Sequence, residues 1–171
     1  MRIAFTGSHR VGKTTLAEEI ADILPGHFLK NEPYLQLEEE GYLFPEIPTL
    51  DDYIEQFILS VKQIKNSEND VIFDRSPLDI LAYIYTISKT KNIQILYEEM
   101  TAAMSKIDLL VFVPIEEPDL IACEESDLPD LRREVNDILQ DWIGDLNNET
   151  LIATGALENR KKQLLDKIHK N

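Results

Sequence analysis

The chain has a single cysteine, Cys123, among its 171 residues. One cysteine excludes a framework of disulfides within the chain and fits the reducing cytosol. No apolar run approaches the roughly twenty residues that a membrane-spanning helix needs. The N-terminus has one basic residue before a short apolar strand, which predicts no signal peptide. We therefore expect a cytoplasmic protein that has no membrane partner.

Basic residues are scarce relative to acidic ones. The sequence holds 17 lysines and arginines against 32 aspartates and glutamates, a formal net charge of -15. This charge repels polyanions, so polymeric nucleic acids and anionic membranes are poor partners. His27 and His169 have no neighbours at metal-ligand spacing, so a zinc site is not supported. A nucleotide is not excluded, because its phosphates are bound by local cations and oriented amides.

Internal repeats and low-complexity linkers are also absent. A chain of this length with 43% apolar residues suits one buried core, so we interpret residues 1–171 as a single domain. Apolar patterns predict strands over 1–6, 27–31, 71–73, 109–113 and 150–154, and helices over 13–24, 53–64, 77–88, 98–105, 131–146 and 157–168. The passages 38–48 and 116–129 are predicted as loops. Strands that alternate with helices predict an α/β fold with a parallel sheet covered on both faces.

What the sequence does contain is a glycine-rich run that satisfies G-x-x-x-x-G-K-[ST]. The pattern needs two glycines for a tight backbone around phosphate oxygens, a lysine as a mobile cation and a hydroxyl for magnesium. A predicted strand precedes the run and a predicted helix follows it, which places the phosphates at a helix N-terminus. We therefore predict that these residues bind a nucleoside triphosphate: Gly7, Ser8, His9, Arg10, Val11, Gly12, Lys13, Thr14 and Thr15.

Asp74 follows the apolar strand 71–73 and is a candidate magnesium ligand. P-loop proteins place a second magnesium-directed carboxylate, the Walker B residue, at a strand end of this kind. Magnesium keeps several waters and needs few protein ligands, so Thr14 and Asp74 are sufficient candidates for the metal site. A carboxylate at a strand end is also common for structural reasons, and the sequence leaves that alternative open.

Arg75 and Glu32 are candidates for the acceptor side of the same cleft. Strand alternation directs Arg75 away from Asp74, where a guanidinium suits a phosphate, a hydroxyl region or a phosphoryl group in transfer. Glu32 precedes Pro33, which favours an extended backbone, and its carboxylate could take the proton of an attacking hydroxyl. The alternatives are a surface ion pair for Arg75 and an ordinary solvated carboxylate for Glu32.

Arg132 and Arg133 follow an acidic, proline-bounded passage, and residues 116–133 are predicted to form a lid segment. Arginines on a mobile segment can neutralise the charge of a phosphoryl group in transfer. The neighbouring acidic side chains offer them other partners. The sequence thus proposes both arginines as catalytic lid residues and leaves local ion pairs as the alternative.

Taken together, these residues resemble the P-loop nucleoside and nucleotide kinases. The resemblance is carried by the glycine-rich run, by Glu32-Pro33, by residues 74–79 and by the helix with Arg132 and Arg133, and it spans most of the chain. Residues 71–83, VIFDRSPLDILAY, are most similar to small AAA-type ATPase/kinase domains such as the nicotinamide riboside kinase domain. Deoxynucleoside kinases and thymidylate kinases are more distantly similar.

The resemblance implies a three-layer P-loop NTPase fold with a five-stranded parallel sheet, ATP and Mg²⁺ at the glycine loop, and transfer of the γ-phosphoryl group to a small acceptor. In that family the glutamate-proline position touches the acceptor hydroxyl, and the aspartate-arginine pair supports magnesium and acceptor. These positions correspond here to Glu32, Asp74 and Arg75. The family often has a more basic lid, whereas residues 116–127 here are acidic.

The leading hypothesis from the sequence is therefore a kinase that phosphorylates a nucleoside, a nucleotide or a related small metabolite. The alternatives are a nucleotide-dependent switch that has no small acceptor, and a binding protein that has lost turnover. A guanine-specific switch fits less well, because N-K-x-D is absent. Selection of the acceptor is expected to depend on Tyr34, Phe57 and Tyr83. The oligomeric state stays open, a homodimer included.

Overall fold

The computed structural model describes residues 1–88 and 92–170. Within these ranges the chain forms five strands and seven α-helices, with a short 3-10 turn at Glu125–Asp127. In chain order they are β1 (Arg2–Thr6), α1 (Lys13–Ile23), β2 (Phe28–Lys30), α2 (Pro33–Glu39), α3 (Leu50–Lys65), β3 (Val71–Phe73), α4 (Pro77–Ile87), α5 (Gln94–Met104), β4 (Leu109–Phe112), α6 (Pro129–Ile143), β5 (Thr150–Ile152) and α7 (Leu157–Ile168).

The five strands form one sheet in the order β2-β3-β1-β4-β5, and every neighbouring pair is parallel. β1 lies at the centre, with Ala4 opposite Phe73 of β3 and Leu110 of β4. Since all strands run the same way, their carboxyl ends meet at one edge of the sheet, where an α/β protein binds its ligands. The glycine-rich loop follows β1, Glu32 follows β2, and Asp74 and Arg75 follow β3, whereas the two candidate lid arginines lie in α6.

The two faces of the sheet pack against different helices. Ala4 of β1 belongs to a core cluster with residues of α3, α4, α5 and α6, whereas Ile3 and Phe5 belong to a second cluster with residues of α1 and α7. This division follows from strand geometry, in which successive side chains point to opposite faces. The predicted three-layer α/β P-loop fold with a five-stranded parallel sheet is confirmed.

Two helices begin with complete capping boxes. Thr49 caps α3 with Asp52 as its partner, and Ser76 caps α4 with Asp79. In each box the side chains satisfy N–H groups that a helix start leaves without partners. The box at Ser76, which the sequence predicts, fixes the chain direction just after β3 and so positions Asp74 and Arg75.

α2 is the main element that the sequence analysis missed. It begins with Pro33 at its first position, directly after Glu32, and lies between the predicted strand 27–31 and the predicted loop 38–48, whose first two residues it includes. Its seven residues are too few to show a clear helical period. Contacts with α3 support it, including a hydrogen bond from Gln63 to Gln36 (2.8 Å). α5 also begins four residues earlier than predicted, at Gln94.

No helix in the described part of the chain is both long enough and apolar enough to span a membrane.

Phe57 tests the packing of the core. The sequence analysis placed it near the acceptor, but the structure buries it completely in the cluster between the sheet and α3–α6. We expect Phe57→Ala to lower the free energy of unfolding by about 3–5 kcal/mol, because it leaves a cavity. Urea denaturation measures this loss. Ile58→Ala is the matched control, since Ile58 is 50% exposed on the same helix. A loss at Phe57 no larger than at Ile58 would contradict the assignment.

Candidate functional site

The glycine-rich loop connects β1 to α1, and two of its glycines are required by geometry. Gly7 has φ +152°, and a Cβ there would lie 2.5 Å from the carbonyl oxygen of Val113. Gly12 has φ +86° and caps α1, whose start has no side-chain cap. Arg10 also adopts a left-handed conformation, with φ 53°. Such a backbone forms a concave nest of N–H groups at a helix N-terminus, which suits an anion.

Lys13 lies deep in this loop. Its side chain is 9% exposed, and Nζ donates a hydrogen bond to the carbonyl oxygen of Ser8 (2.7 Å). Burial, reinforced by the positive charge of Arg75, lowers the pKa of Lys13 to about 8, although Asp79, Glu32 and Asp74 oppose the shift. The loop therefore holds an ammonium group that is poorly solvated and would gain from a nearby phosphate.

Asp74 is buried at the end of β3, at 4% exposure, and its Oδ1 has no hydrogen-bond partner among the described residues. Burial raises the pKa of Asp74 to about 6, although hydrogen bonding with the Thr14 side chain opposes this. A partnerless buried carboxylate oxygen beside a threonine hydroxyl fits Mg²⁺, which needs only one or two protein ligands besides water and phosphate. No group of three or more potential metal ligands occurs in the described part of the chain.

Arg75 joins two carboxylates from different elements. Its Nε donates to Asp79 Oδ2 (2.8 Å), and its Nη1 lies 3.5 Å from Glu32 Oε2. Burial opposes the charge of Arg75, but Asp79 and Glu32 more than compensate and raise its pKa. Glu32 itself has the extended backbone predicted for a residue before proline (φ -57°, ψ 147°). The contact with Arg75 thus holds the Glu32 carboxylate in a fixed position.

These groups line one cleft of about 320 Å³, which we call the phosphate cleft. It brings together seven of the loop residues with two acceptor-side candidates and one residue of the lid segment. Asp74 lies beneath it, through its contact with Thr14. The lining residues are His9, Arg10, Val11, Gly12, Lys13, Thr14, Thr15, Glu32, Arg75 and Ile121.

A second space of about 200 Å³, which we call the aromatic cavity, adjoins the phosphate cleft. The rings of Tyr53 and Tyr83 stack nearly parallel there, with centroids 5.1 Å apart. Of the three residues expected to select the acceptor, Tyr83 lines this cavity. Phe57 lies in the core instead, and Tyr34 stacks on Phe44 outside the cavity. Its lining residues are His9, Glu46, Ile47, Pro48, Tyr53, Arg75, Tyr83, Ser126, Asp127, Leu128 and Leu131.

His9 connects the glycine loop to the lid segment. Its Nδ1 lies 2.7 Å from the Tyr83 hydroxyl, and its Nε2 contacts the carbonyl oxygen of Asp127. Burial lowers the pKa of His9, although the contact with Asp127 opposes the shift. Burial therefore favours the neutral form of the ring, which bridges two elements.

A third, apolar cavity of about 340 Å³ lies on the other side of the loop and shares Gly12, Thr15 and Ile121 with the phosphate cleft. Leu120 and Ile121 form one wall, and the loop after β5 forms the other through Gly155, Ala156 and Leu157.

The structure separates the two candidate lid arginines. Arg132 is buried, binds Asp119, and donates to the carbonyl oxygens of His9 (2.9 Å) and Arg10 (3.0 Å). Arg133 is 65% exposed and pairs with Asp130 on the outer face of α6, so it lies outside the phosphate cleft. The two point differently because neighbouring helical residues lie about 100° apart around the axis.

Sequence reasoning missed Arg160. It is 5% exposed, and its guanidinium donates to the carbonyl oxygen of Val11 (2.6 Å) and to Glu116 (2.7 Å). A signal was present, because Arg160 is spaced three and four residues from Leu157 and Leu164 and so lies on the apolar face of α7. Tyr53, which also lines the site and was not proposed from the sequence, lies in the same way on the apolar face of α3.

Comparison with known proteins identifies a family. A family model described as an AAA domain matches residues 2–160. A search of curated proteins gives no match.

Solved structures with the same fold include a nucleoside kinase and a nucleotide kinase. Deoxyadenosine kinase from M. mycoides has a TM-score of 0.68 and 16% identity, with 99% of each chain covered. Thymidylate kinase from Candida albicans has a TM-score of 0.63 and 19% identity, covering 99% of this chain and 91% of that one. NadR protein in complex with NR has a TM-score of 0.71 and 18% identity, and the match covers 99% of this chain and 50% of that one. The resemblance to P-loop kinases seen in the sequence is confirmed.

The lowered pKa of Lys13 predicts how nucleotide affinity depends on pH. Phosphates favour the charged amine, so above about pH 8 binding must take up a proton, and affinity should fall by up to about tenfold per pH unit. Calorimetric titration of a nonhydrolysable ATP analogue, in two buffers of different ionisation enthalpy, measures both the affinity and the number of protons taken up. Lys13→Arg is the control, because its guanidinium stays charged. Equal pH dependence in both proteins would contradict the prediction.

Proposed function

The chain belongs to the AAA domain family, and we propose that within it this protein is an ATP-dependent phosphotransferase. It transfers the γ-phosphoryl group of ATP to a hydroxyl of a small nucleoside, nucleotide or related metabolite. One observation supports this most: the Glu32 carboxylate, held by Arg75, faces the same cleft as the glycine loop, and that cleft opens into an aromatic cavity. A nucleotide switch has no need of an acceptor site beside its phosphates.

The donor nucleotide occupies the loop and the apolar cavity. The loop amides and Lys13 hold the phosphates, and the apolar walls at Ile121 and Ala156 accept the base. Thr14 and Asp74 would hold Mg²⁺, whose charge, when bound, offsets that of the phosphate oxygens.

The acceptor enters from the aromatic cavity. Glu32 takes the proton of the acceptor hydroxyl while that oxygen forms a bond to the γ-phosphorus and the bond to the β,γ-bridging oxygen breaks, which leaves ADP. Arg75 orients the Glu32 carboxylate, because their opposite charges attract.

The lid segment closes the site from the side of α6. Ile121 lies between the phosphate cleft and the apolar cavity, where it excludes water from the phosphates. Arg132 donates its hydrogen bonds to Asp119 and to the glycine loop, so we propose that it positions the loop. Arg133 would contact a phosphoryl group only after a movement of the lid segment.

Phosphoryl transfer is tested with γ-labelled ATP and a panel of nucleosides, mononucleotides and small alcohols. We expect one class of acceptor to be labelled, and Lys13→Ala to remove most of the activity because it deletes the cation beside the β- and γ-phosphates. ATP binding without any labelled acceptor would reject the kinase and favour the switch.

Glu32→Gln should lower kcat by about 10²–10⁴-fold, since general-base assistance is worth that much, with little change in ATP affinity. Steady-state kinetics with the best acceptor measures the loss. Glu39→Gln, at an exposed position in α2, is the matched control and should behave like the native protein. A kcat unchanged in Glu32→Gln would contradict the assignment.

Asp74→Asn should raise the Mg²⁺ concentration needed for half-maximal activity by about tenfold or more, because it removes an anionic oxygen from the metal site. A magnesium titration at saturating ATP measures the shift. An unaltered titration curve would show that Asp74 is structural.

A further inference from the structure

The charges around the aromatic cavity restrict which acceptors can bind. The cavity is small, at about 200 Å³, and shares His9 and Arg75 with the phosphate cleft. A molecule inside it therefore lies next to Glu32 and within reach of the glycine loop. The charges of the residues that line the cavity therefore determine which charge on the acceptor is tolerated.

Arg75 is the one permanent cation among the residues that line the cavity, and its charge is already compensated. Its side chain is 10% exposed, with Asp79 Oδ2 at 2.8 Å and Glu32 Oε2 at 3.5 Å. Its remaining contact is with the ring of Tyr83, 5.2 Å from the guanidinium carbon to the centroid. The second basic residue, His9, is hydrogen-bonded to Tyr83, and its burial favours the neutral form of the ring.

The other charged residues of the lining are acidic. Asp127 is paired with Arg10, whose Nε lies 2.7 Å from Asp127 Oδ2. Glu46 is exposed and forms no ion pair with any described residue. A phosphate inside the aromatic cavity would thus meet two compensated pairs and one uncompensated carboxylate, and no free cation among the described lining residues would balance its two negative charges.

The remaining walls are flat and apolar. Tyr53 and Tyr83 are 8% and 1% exposed, and their rings stack on each other, while Ile47, Pro48 and Leu131 close the sides. A wall of aromatic and aliphatic side chains favours contact with an apolar ring, and aromatic rings attract positive charge. They give no advantage to an anion.

We infer that the acceptor is an uncharged or cationic alcohol with a planar ring, of the nucleoside class, and that nucleoside monophosphates are excluded. The inference rests on the proposed function and narrows its acceptor. The hydroxyl that is phosphorylated lies beside Glu32, and the ring lies against Tyr53 and Tyr83. The cavity achieves this selection through carboxylates that repel a phosphate rather than through contacts specific to one base.

Matched pairs test the inference: adenosine, deoxyadenosine, cytidine and thymidine, each against its own 5′-monophosphate. We expect kcat/KM with ATP to be at least about 100-fold higher for the preferred nucleoside than for its monophosphate, since several kcal/mol can separate like-charge from neutral partners. Monophosphates used as well as nucleosides, or better, would overturn the inference.

Binding is measured separately, so that failure of the inference can be told from failure of the proposed function. Thermal shifts with a nonhydrolysable ATP analogue present report the affinity of each nucleoside and monophosphate without turnover. Nucleoside binding without phosphorylation would support the inference and reject the kinase. Stronger binding of the monophosphates, or binding of neither member of any pair, would overturn the inference.

Glu46→Lys provides a second test, because it places an uncompensated cation at the exposed rim of the cavity. We expect the ratio of kcat/KM for monophosphate over nucleoside to rise at least about tenfold, the effect of one charge reversal at short range. Glu55→Lys makes the same change at an exposed position of α3 outside the cavity and should leave the ratio unchanged. An equal ratio in both variants would count against the inference.

Discussion

The structure depends on four consecutive carbonyl groups of the glycine loop, each of which accepts a hydrogen bond from a basic side chain. Lys13 binds the carbonyl of Ser8, Arg132 binds those of His9 and Arg10, and Arg160 binds that of Val11. A backbone that turns its N–H groups toward an anion must turn carbonyls elsewhere, and buried carbonyls need donors. These three cations supply them, and the loop is thereby fixed before any ligand binds.

The same contacts connect distant parts of the chain. Arg132 comes from α6 and Arg160 from α7, while Asp119 and Glu116, which pair with them, both belong to the lid segment. The acidic lid, which departs from the basic lids expected of related kinases, therefore has a structural reason. Its carboxylates form ion pairs with the arginines that hold the loop. The charges of those arginines are therefore already compensated in the absence of a phosphate.

Much of the site could be predicted from the sequence, because its residues lie in short local patterns. The glycine loop, the carboxylate after β3 and the extended glutamate before Pro33 each follow from spacing and from what neighbouring residues allow. Arg160 and Tyr53 could not be assigned in this way. Arg160 lies 149 residues from Val11, and nothing local shows that a polar residue on an apolar helix face meets a particular carbonyl.

The sequence by itself determined the alternating α/β architecture, the glycine loop and the charged groups at the strand ends, since these arise from periodicity and from the conformational needs of glycine and proline. Only the tertiary structure decided which cations remain available. Arg75, Arg132 and Arg160 are alike in the sequence, but each meets a carboxylate from another element or turn, and Arg133 faces solvent. Pairing of charges that lie far apart in the sequence depends on the packing of the whole fold, and no local sequence pattern predicts it.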